Sequence, residues 1–310
     1  MIAAGTQTAV GAARAAVEPM GAAPGSLATE TQSQLVRAER TGEVLVLTLQ
    51  RAPVNAINDE LLAQLEAVLD EVEADDTLAV LHLRSACKVF SAGADLALIR
   101  SCVATAQGRE AMLGTVRRMQ RVFARIEALE CVTLAEIGGA ALGGGFELAL
   151  ACDLRIAAFD VRVGLPEAGL GLLAAAGGTQ RLTRLVGHGL ARRLILGAET
   201  PKAAEAERLG LVQWAVPRER LAEEAAALAR RYGAMPRVAF AENKRCIALA
   251  GVPGGAGFAA EIEATRRLYQ DPETRRRVSA FLDKSLDKPV DKPADKSVQR
   301  GAANPKETPA

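Results

Sequence analysis

The chain has 310 residues, 49% of them hydrophobic, and its 38 basic and 37 acidic side chains leave a net charge of +1. That balance, with seven Phe, two Tyr and one Trp, offers neither the basic surface nor the stacking platform of a nucleic-acid binder. No apolar run approaches the roughly 20 residues of a membrane span, no basic stretch followed by a leucine-rich core marks a secretory signal, and five scattered cysteines without a C-x-x-C pair indicate neither a disulfide framework nor a zinc site. A reduced, cytoplasmic setting is the simplest expectation. His82 lies in a strand-like apolar run and reads as a packed side chain, and His188 follows Gly187 in a turn, so histidine-based metal or triad chemistry is poorly supplied.

Residues 1–33, rich in Ala, Gly, Ser and Thr without a sustained period, read as a disordered leader. Leu35–Glu39 and Val44–Leu49 flank Thr41-Gly42 as a hairpin. Asn58-Asp59 caps a helix through Val72, with Leu61, Leu62, Leu65, Val68, Leu69 and Val72 at helical spacing. Leu78–Leu83 is a short strand, followed by a loop of small residues, Lys88–Asp95, and a helix carrying Met112, Val116, Met119, Val122 and Ile126. Val132–Ile137 is a strand that leads to the glycine-rich turn. Leu154–Ala158 and Val161–Gly164 are strands, Leu165-Pro166-Glu167 begins a loop, and Gly177-Gly178-Thr179-Gln180 opens a helix. Alternating strands and helices indicate an α/β core over 34–216. Beyond a last strand in Leu211–Val216, segments 218–232, 237–249, 256–270 and 272–284 read as helices, giving a helical C-terminal region over 217–285. Asp-Lys then recurs every four residues with Pro289 and Pro293, marking 286–310 as a solvated low-complexity tail.

Three stretches carry chemistry. Gly143-Gly144-Gly145 opens a helix, where unpaired N–H groups and the helix dipole favour negative charge, and Glu147 stands in the first turn. Ser91-Ala92-Gly93-Ala94-Asp95 would let a ligand approach the backbone closely. Glu167 falls twenty residues after Glu147, far enough for a helix and two strands to return the chain to the same end of a sheet. Each has an ordinary structural explanation when taken alone. Together, two N–H donors from different loops can form an oxyanion hole, and two carboxylates can divide acid and base roles.

The motifs F-S-A-G-A-D at Phe90–Asp95, A-L-G-G-G-F-E-L-A-L-A-C-D at Ala141–Asp153, P-E at Pro166-Glu167 and G-G-T-Q-R-L at Gly177–Leu182 resemble those of the crotonase superfamily, the enoyl-CoA hydratase/isomerase group. The resemblance runs from about Leu35 to Lys284. It implies a spiral of ββα units with an α-helical C-terminal trimerisation region, assembled as a homotrimer or hexamer. It implies an oxyanion hole from the N–H groups of Ala94 and Gly144 and catalytic glutamates at Glu147 and Glu167. Retention of both carboxylates favours hydration of a trans-2-enoyl-CoA to a 3-hydroxyacyl-CoA, with Glu147 handling water and Glu167 donating the α-carbon proton. A Δ3,Δ2-enoyl-CoA isomerase and a non-catalytic CoA-ester binder are the alternatives. No separate cofactor is implied, coenzyme A being part of the acyl-CoA thioester substrate, and no metal, nucleic acid or membrane partner. For the coenzyme A moiety the resemblance points to the Ala92 carbonyl and to Lys284, with Arg51 and Lys88 as further contacts. The chain departs from the family's P-G-A-G-G at Ala174-Ala175-Ala176-Gly177-Gly178, where Ala175 replaces a glycine near the expected water site.

Overall fold

A computed structural model of the protein describes residues 34–286, so the leader expected over 1–33 and the tail, apart from Leu286, lie outside the described residues. Strands β1 (Val36–Thr41) and β2 (Val44–Leu49) form an antiparallel hairpin that turns at Gly42, where φ is +59°. Helix α1 (Asp59–Ala74) starts where the Asn58 side chain accepts the Leu61 N–H at 3.0 Å, and it buries the six apolar residues that its spacing predicts. After β3 (Val80–Ser85), helices α2 (Leu96–Ala104) and α3 (Ala106–Ala128) are capped by Asp95 and Thr105. Next come β4 (Val132–Ile137), β5 (Ala141–Leu142), α4 (Gly144–Ala151), β6 (Leu154–Ala158) and β7 (Val163–Gly164). A 3-10 turn over Pro166–Leu170 leads to α5 (Gly178–Leu196), which breaks at Gly187 beside His188. Then follow α6 (Ala203–Arg208), β8 (Trp214–Val216), α7 (Leu221–Gly233), α8 (Arg237–Ala248), α9 (Ala256–Gln270) and α10 (Pro272–Leu286).

The architecture differs locally from the sequence reading. A two-residue strand, β5, separates β4 from the glycine turn. Helix α6 is new: its six residues bury only Ala203 and Ala206, too little for a visible period. The segment expected as a loop after Leu165 winds into the 3-10 turn.

The main sheet has the order β1-β2-β3-β4-β6-β8, parallel from β2 onward. Its inner strands are mostly apolar and largely buried, with α7 packed across β2, β3, β4 and β6. His82 on β3 is buried and stands 2.9 Å from Glu136 on β4. Beside this sheet runs a second, narrower layer. Isolated bridges join Ile57 to Ala94 and Ser91 to Ala141, and β5 pairs with β7. Each turn of the chain therefore contributes one rung to the main sheet and one to the narrow layer, the repeating β-β-α spiral.

Helix α4 lies at the centre, with all eight residues buried. Its C-terminal carbonyls cannot reach water and are met by the buried Arg155 of β6, which donates to Cys152 at 2.7 Å and Ala149 at 3.2 Å, and to Leu211 at 2.9 Å. A cation at this end complements the helix dipole. No helix among the described residues is long and apolar enough to cross a membrane.

Replacing Arg155 with Met removes the donor from the Cys152 and Leu211 carbonyls, while Ala149 keeps the Cys152 N–H. It should lower stability by about 3 kcal/mol, read as a lower urea midpoint at an unchanged m-value. An unchanged midpoint would contradict the capping role.

Candidate active site

The narrow layer ends where two loops meet. Ile57 donates to Gly93 at 2.8 Å and accepts from Asp95 at 3.1 Å, which fixes the peptide of Ala94. Leu142 donates to Ser91 at 3.1 Å, and Gly143 donates to Gly164 at 3.0 Å, which fixes the start of α4. The two backbones are in direct contact: a Cβ on Gly93, where φ is +90°, would stand 3.0 Å from the Gly144 nitrogen. A side chain there would force the loops apart, the reason the stretch reads Ala-Gly-Ala. The N–H groups of Ala94 and Gly144 have no acceptor among the described residues, and Gly144 stands at the positive end of α4.

A polar network holds the Ala94 loop from beneath. Asn55, buried at φ +48°, donates to Ser85 at 2.8 Å and to the Phe90 carbonyl at 2.9 Å, and the Ser91 hydroxyl donates to the Asn55 carbonyl at 2.8 Å. Arg51 pairs with Asp95 at 2.8 Å and donates to the Ala56 carbonyl at 3.0 Å.

Glu147 is 3% exposed, and its Oε1 accepts the Gly178 N–H at 2.7 Å. Gly178 must be glycine for this approach, since a Cβ there would stand 2.8 Å from that oxygen. Burial pushes the Glu147 carboxyl up to about 7; the N–H groups of Gly178 and Ala176 and the Arg181 charge oppose the rise, and the Glu167 charge adds to it. Glu167, on the 3-10 turn, is half-buried and reaches back over the glycine turn, its Oε1 2.9 Å from where a Cβ on Gly143 would stand. Its Oε2 is buried and has no hydrogen-bond partner among the described residues, and burial raises its carboxyl also. Both carboxyls thus lie at the N-terminus of α4, each held toward the protonated form by a dry environment.

The structure brings Glu147, Glu167, Ala94 and Gly144 together. Ala92 and Lys88 are exposed on the approach to the same loop. Arg51 lies beneath the loop, its guanidinium held by Asp95 and Ala56. Lys284 belongs to α10 by its backbone, but its side chain lies outside the described residues. Met119 of α3 packs on Gly144, its Cε 2.8 Å from where a Cβ would stand. The Ala175 carbonyl accepts the Gln120 amide at 2.6 Å. Burial pushes the Cys131 thiol up to about 11 and the Cys152 thiol up to about 12, which leaves neither as a nucleophile at neutral pH. Among the described residues no group of three or more His, Cys, Asp or Glu side chains is placed to hold a metal ion.

Sequence reading did not single out Asn55, Gln120 or Arg155 for the site. Their contribution is contact across the fold, which periodicity does not encode. Arg181 was within reach, because it belongs to the G-G-T-Q-R-L motif, but nothing in the motif says what its guanidinium touches.

Two backbone donors and two carboxyls gathered at one buried helix N-terminus, on a spiral of β-β-α turns, define a crotonase-type α/β protein. Residues 39–288 match the family model described as Enoyl-CoA hydratase/isomerase, and the chain belongs to that family. It is 37% identical over 250 residues to the Short-chain-enoyl-CoA hydratase of Clostridium acetobutylicum, covering 79% of this chain and 94% of the relative. It is 35% identical over 254 residues to the 2,3-dehydroadipyl-CoA hydratase of Escherichia coli, covering 81% and 96%. Among solved structures, an enoyl-CoA hydratase from Bacillus anthracis superposes with a TM-score of 0.76 at 32% identity, covering 81% of this chain and 97% of that one. The DspI protein of Pseudomonas aeruginosa superposes with a TM-score of 0.75 at 33% identity, covering 83% and 97%.

The raised Glu147 carboxyl has a stability consequence. Between the ordinary value of 4.5 and about 7 the folded state holds a proton that the unfolded chain has lost, so this residue's contribution falls as pH rises through that window. Above it, Glu147 costs on the order of 3 kcal/mol. Glu147→Gln should therefore melt higher than the native chain at pH 8, by about 5 °C, and the difference should shrink toward zero at pH 5. A difference independent of pH would contradict the burial argument.

Proposed function

We propose that the chain hydrates trans-2-enoyl-CoA thioesters to 3-hydroxyacyl-CoA. The observation that carries this reading is the pair of buried carboxyls, Glu147 and Glu167, set against two backbone N–H groups without acceptors at one helix N-terminus. The family match and the hydratase names of its relatives support the same reading.

In this proposal the thioester carbonyl oxygen sits between the N–H groups of Ala94 and Gly144. When water adds at C3, electron density moves from the C2=C3 bond onto that oxygen. Two preorganised donors in a dry site then contribute about 3–4 kcal/mol each. Glu147, with a carboxyl near neutrality, accepts the proton of the attacking water, a task suited to a base whose pKa lies close to the working pH. Glu167, whose burial favours its protonated form, gives its proton to C2. The C3–O and C2–H bonds form as the double bond is lost, and a proton passed from Glu147 to Glu167 restores the site. Coenzyme A enters as part of the substrate, along Ala92, with Lys88 and Lys284 as candidate phosphate contacts. Arg51 is the weaker candidate, since its guanidinium is already paired.

We also propose assembly through the C-terminal helices as a homotrimer or a hexamer. Ile247, Phe258, Ile262, Tyr269 and Phe281 are each more than half exposed on α8, α9 and α10. That much apolar surface on neighbouring helices is characteristic of an interface.

Purified protein should deplete the conjugated enoyl-thioester absorbance of crotonyl-CoA and form 3-hydroxybutyryl-CoA. Glu147→Gln and Glu167→Gln should each slow this at least about 1,000-fold while binding the thioester within about threefold of the native chain. Native-like turnover in either variant would overturn the assignment. Light scattering on a sizing column should return three or six times the chain mass, and a monomer would contradict the assembly.

A further inference from the structure

The G-G-T-Q-R stretch has a second function in the fold besides the Gly178 N–H. Gly177 has φ +108°, and a Cβ on it would stand 2.2 Å from Nη1 of Arg181. The guanidinium therefore lies against bare backbone, one turn inside α5. Nη1 donates to the Ala176 carbonyl at 3.1 Å. Nε and Nη2 reach Glu127 of α3 at 3.0 and 2.9 Å. The Arg181 side chain is only 10% exposed, so its end against the Ala176 carbonyl is shielded from water, while Glu127 approaches it from the surface. The result is a continuous chain of contacts: α3 through Glu127, then Arg181, then the Ala176–Gly178 turn, then the Glu147 carboxylate. The two glycines divide the work, Gly177 making room for the guanidinium and Gly178 for the carboxylate.

We infer that Arg181, braced by Glu127, is a positioning residue for Glu147: it holds the Ala176–Gly178 turn against that carboxylate and keeps a positive charge behind the turn. Charged and polar groups facing Glu147 come from three segments. The 3-10 turn supplies the Glu167 carboxyl, the Ala176–Gly178 turn supplies N–H groups, and α5 supplies Arg181. Helix α4 brings no other titratable group, and α3 presents the neutral Met119 and Gln120, with Glu127 engaged by Arg181. Arg181 is thus a cation that favours the charged form of Glu147 against the effect of burial. An arginine serves here where a lysine would not, because its planar fork reaches a carbonyl and a carboxylate at once.

The inference rests on the hydratase reading for its kinetics alone. The test uses the full chain as Arg181→Met, Arg181→Lys and Glu127→Gln. The Glu147 carboxyl is titrated by 13C NMR of glutamate-labelled protein, its signal assigned by its loss in Glu147→Gln, and kcat and KM for crotonyl-CoA are measured from pH 5 to 9. In Arg181→Met the Glu147 titration should move up, by a few tenths of a pH unit or more. The acid limb of kcat/KM should move with it, and kcat at pH 7 should fall about tenfold with KM within about threefold. Arg181→Lys should return the titration toward the native midpoint without restoring kcat fully. Glu127→Gln, on an exposed side chain, should lower kcat by a smaller factor with the fold intact. An unmoved titration in Arg181→Met, or activity loss with an unmoved pH profile in all three variants, would overturn the inference. If Arg181→Met does not fold, Arg181→Lys and Glu127→Gln decide it by kcat: a fall in both with KM within about threefold is expected, and native kcat in both would overturn the inference. Absence of hydration by the native chain would sink the function reading, while the NMR titration would still decide the role of Arg181.

Discussion

A carboxylate is buried in the first turn of a helix that is itself enclosed on every side. That one placement constrains much of the surrounding structure. A charged or half-charged group in a dry interior is expensive unless donors meet it, so the Gly178 N–H points at Glu147, and Gly178 carries no side chain that would prevent it. The opposite end of the same helix needs a cation, which Arg155 supplies. The arrangement is less stable than an apolar core would be. It persists because a carboxyl near neutrality can accept a proton and release it again.

The spiral accounts for how chemistry from distant segments converges. Each turn adds a strand to the main sheet and a rung to the narrow layer, and the rungs at Ile57–Ala94, Ser91–Ala141 and β5–β7 are successive neighbours. The Ala94 peptide and the Gly144 peptide are therefore positioned by sheet-like hydrogen bonds, not by mobile loops. Preorganised donors of this kind need no reorganisation when charge develops between them. The contact of Gly93 with Gly144 sets the spacing of the two donors, and the Asn55–Ser91 and Arg51–Asp95 contacts keep the outer loop from shifting.

Much of this was legible in the residues. The apolar spacing of α1, the cap at Asn58, the strand Val132–Ile137 and the glycine-opened helix with Glu147 follow from periodicity and local chemistry. The motif order pointed to the family and so to Ala94, Gly144 and Glu167 as partners of Glu147. Less legible were features that depend on contact between remote segments. Helix α6 is too short to show a period, β5 is two residues long, and Asn55 at positive φ resembles any loop asparagine until Ser85, Phe90 and Ser91 surround it. Arg155 sits in a short strand where an arginine would ordinarily face solvent, and its burial follows from the carbonyls that α4 leaves behind it.

The central claim is that this site adds water across a conjugated thioester and protonates the carbon next to the carbonyl. The most direct test is to incubate the native chain with crotonyl-CoA in D2O and read the product by NMR. The account predicts 3-hydroxybutyryl-CoA with oxygen on C3 and a single deuterium on C2. Recovered substrate without added oxygen, or deuterium at C4 with the double bond moved, would contradict it.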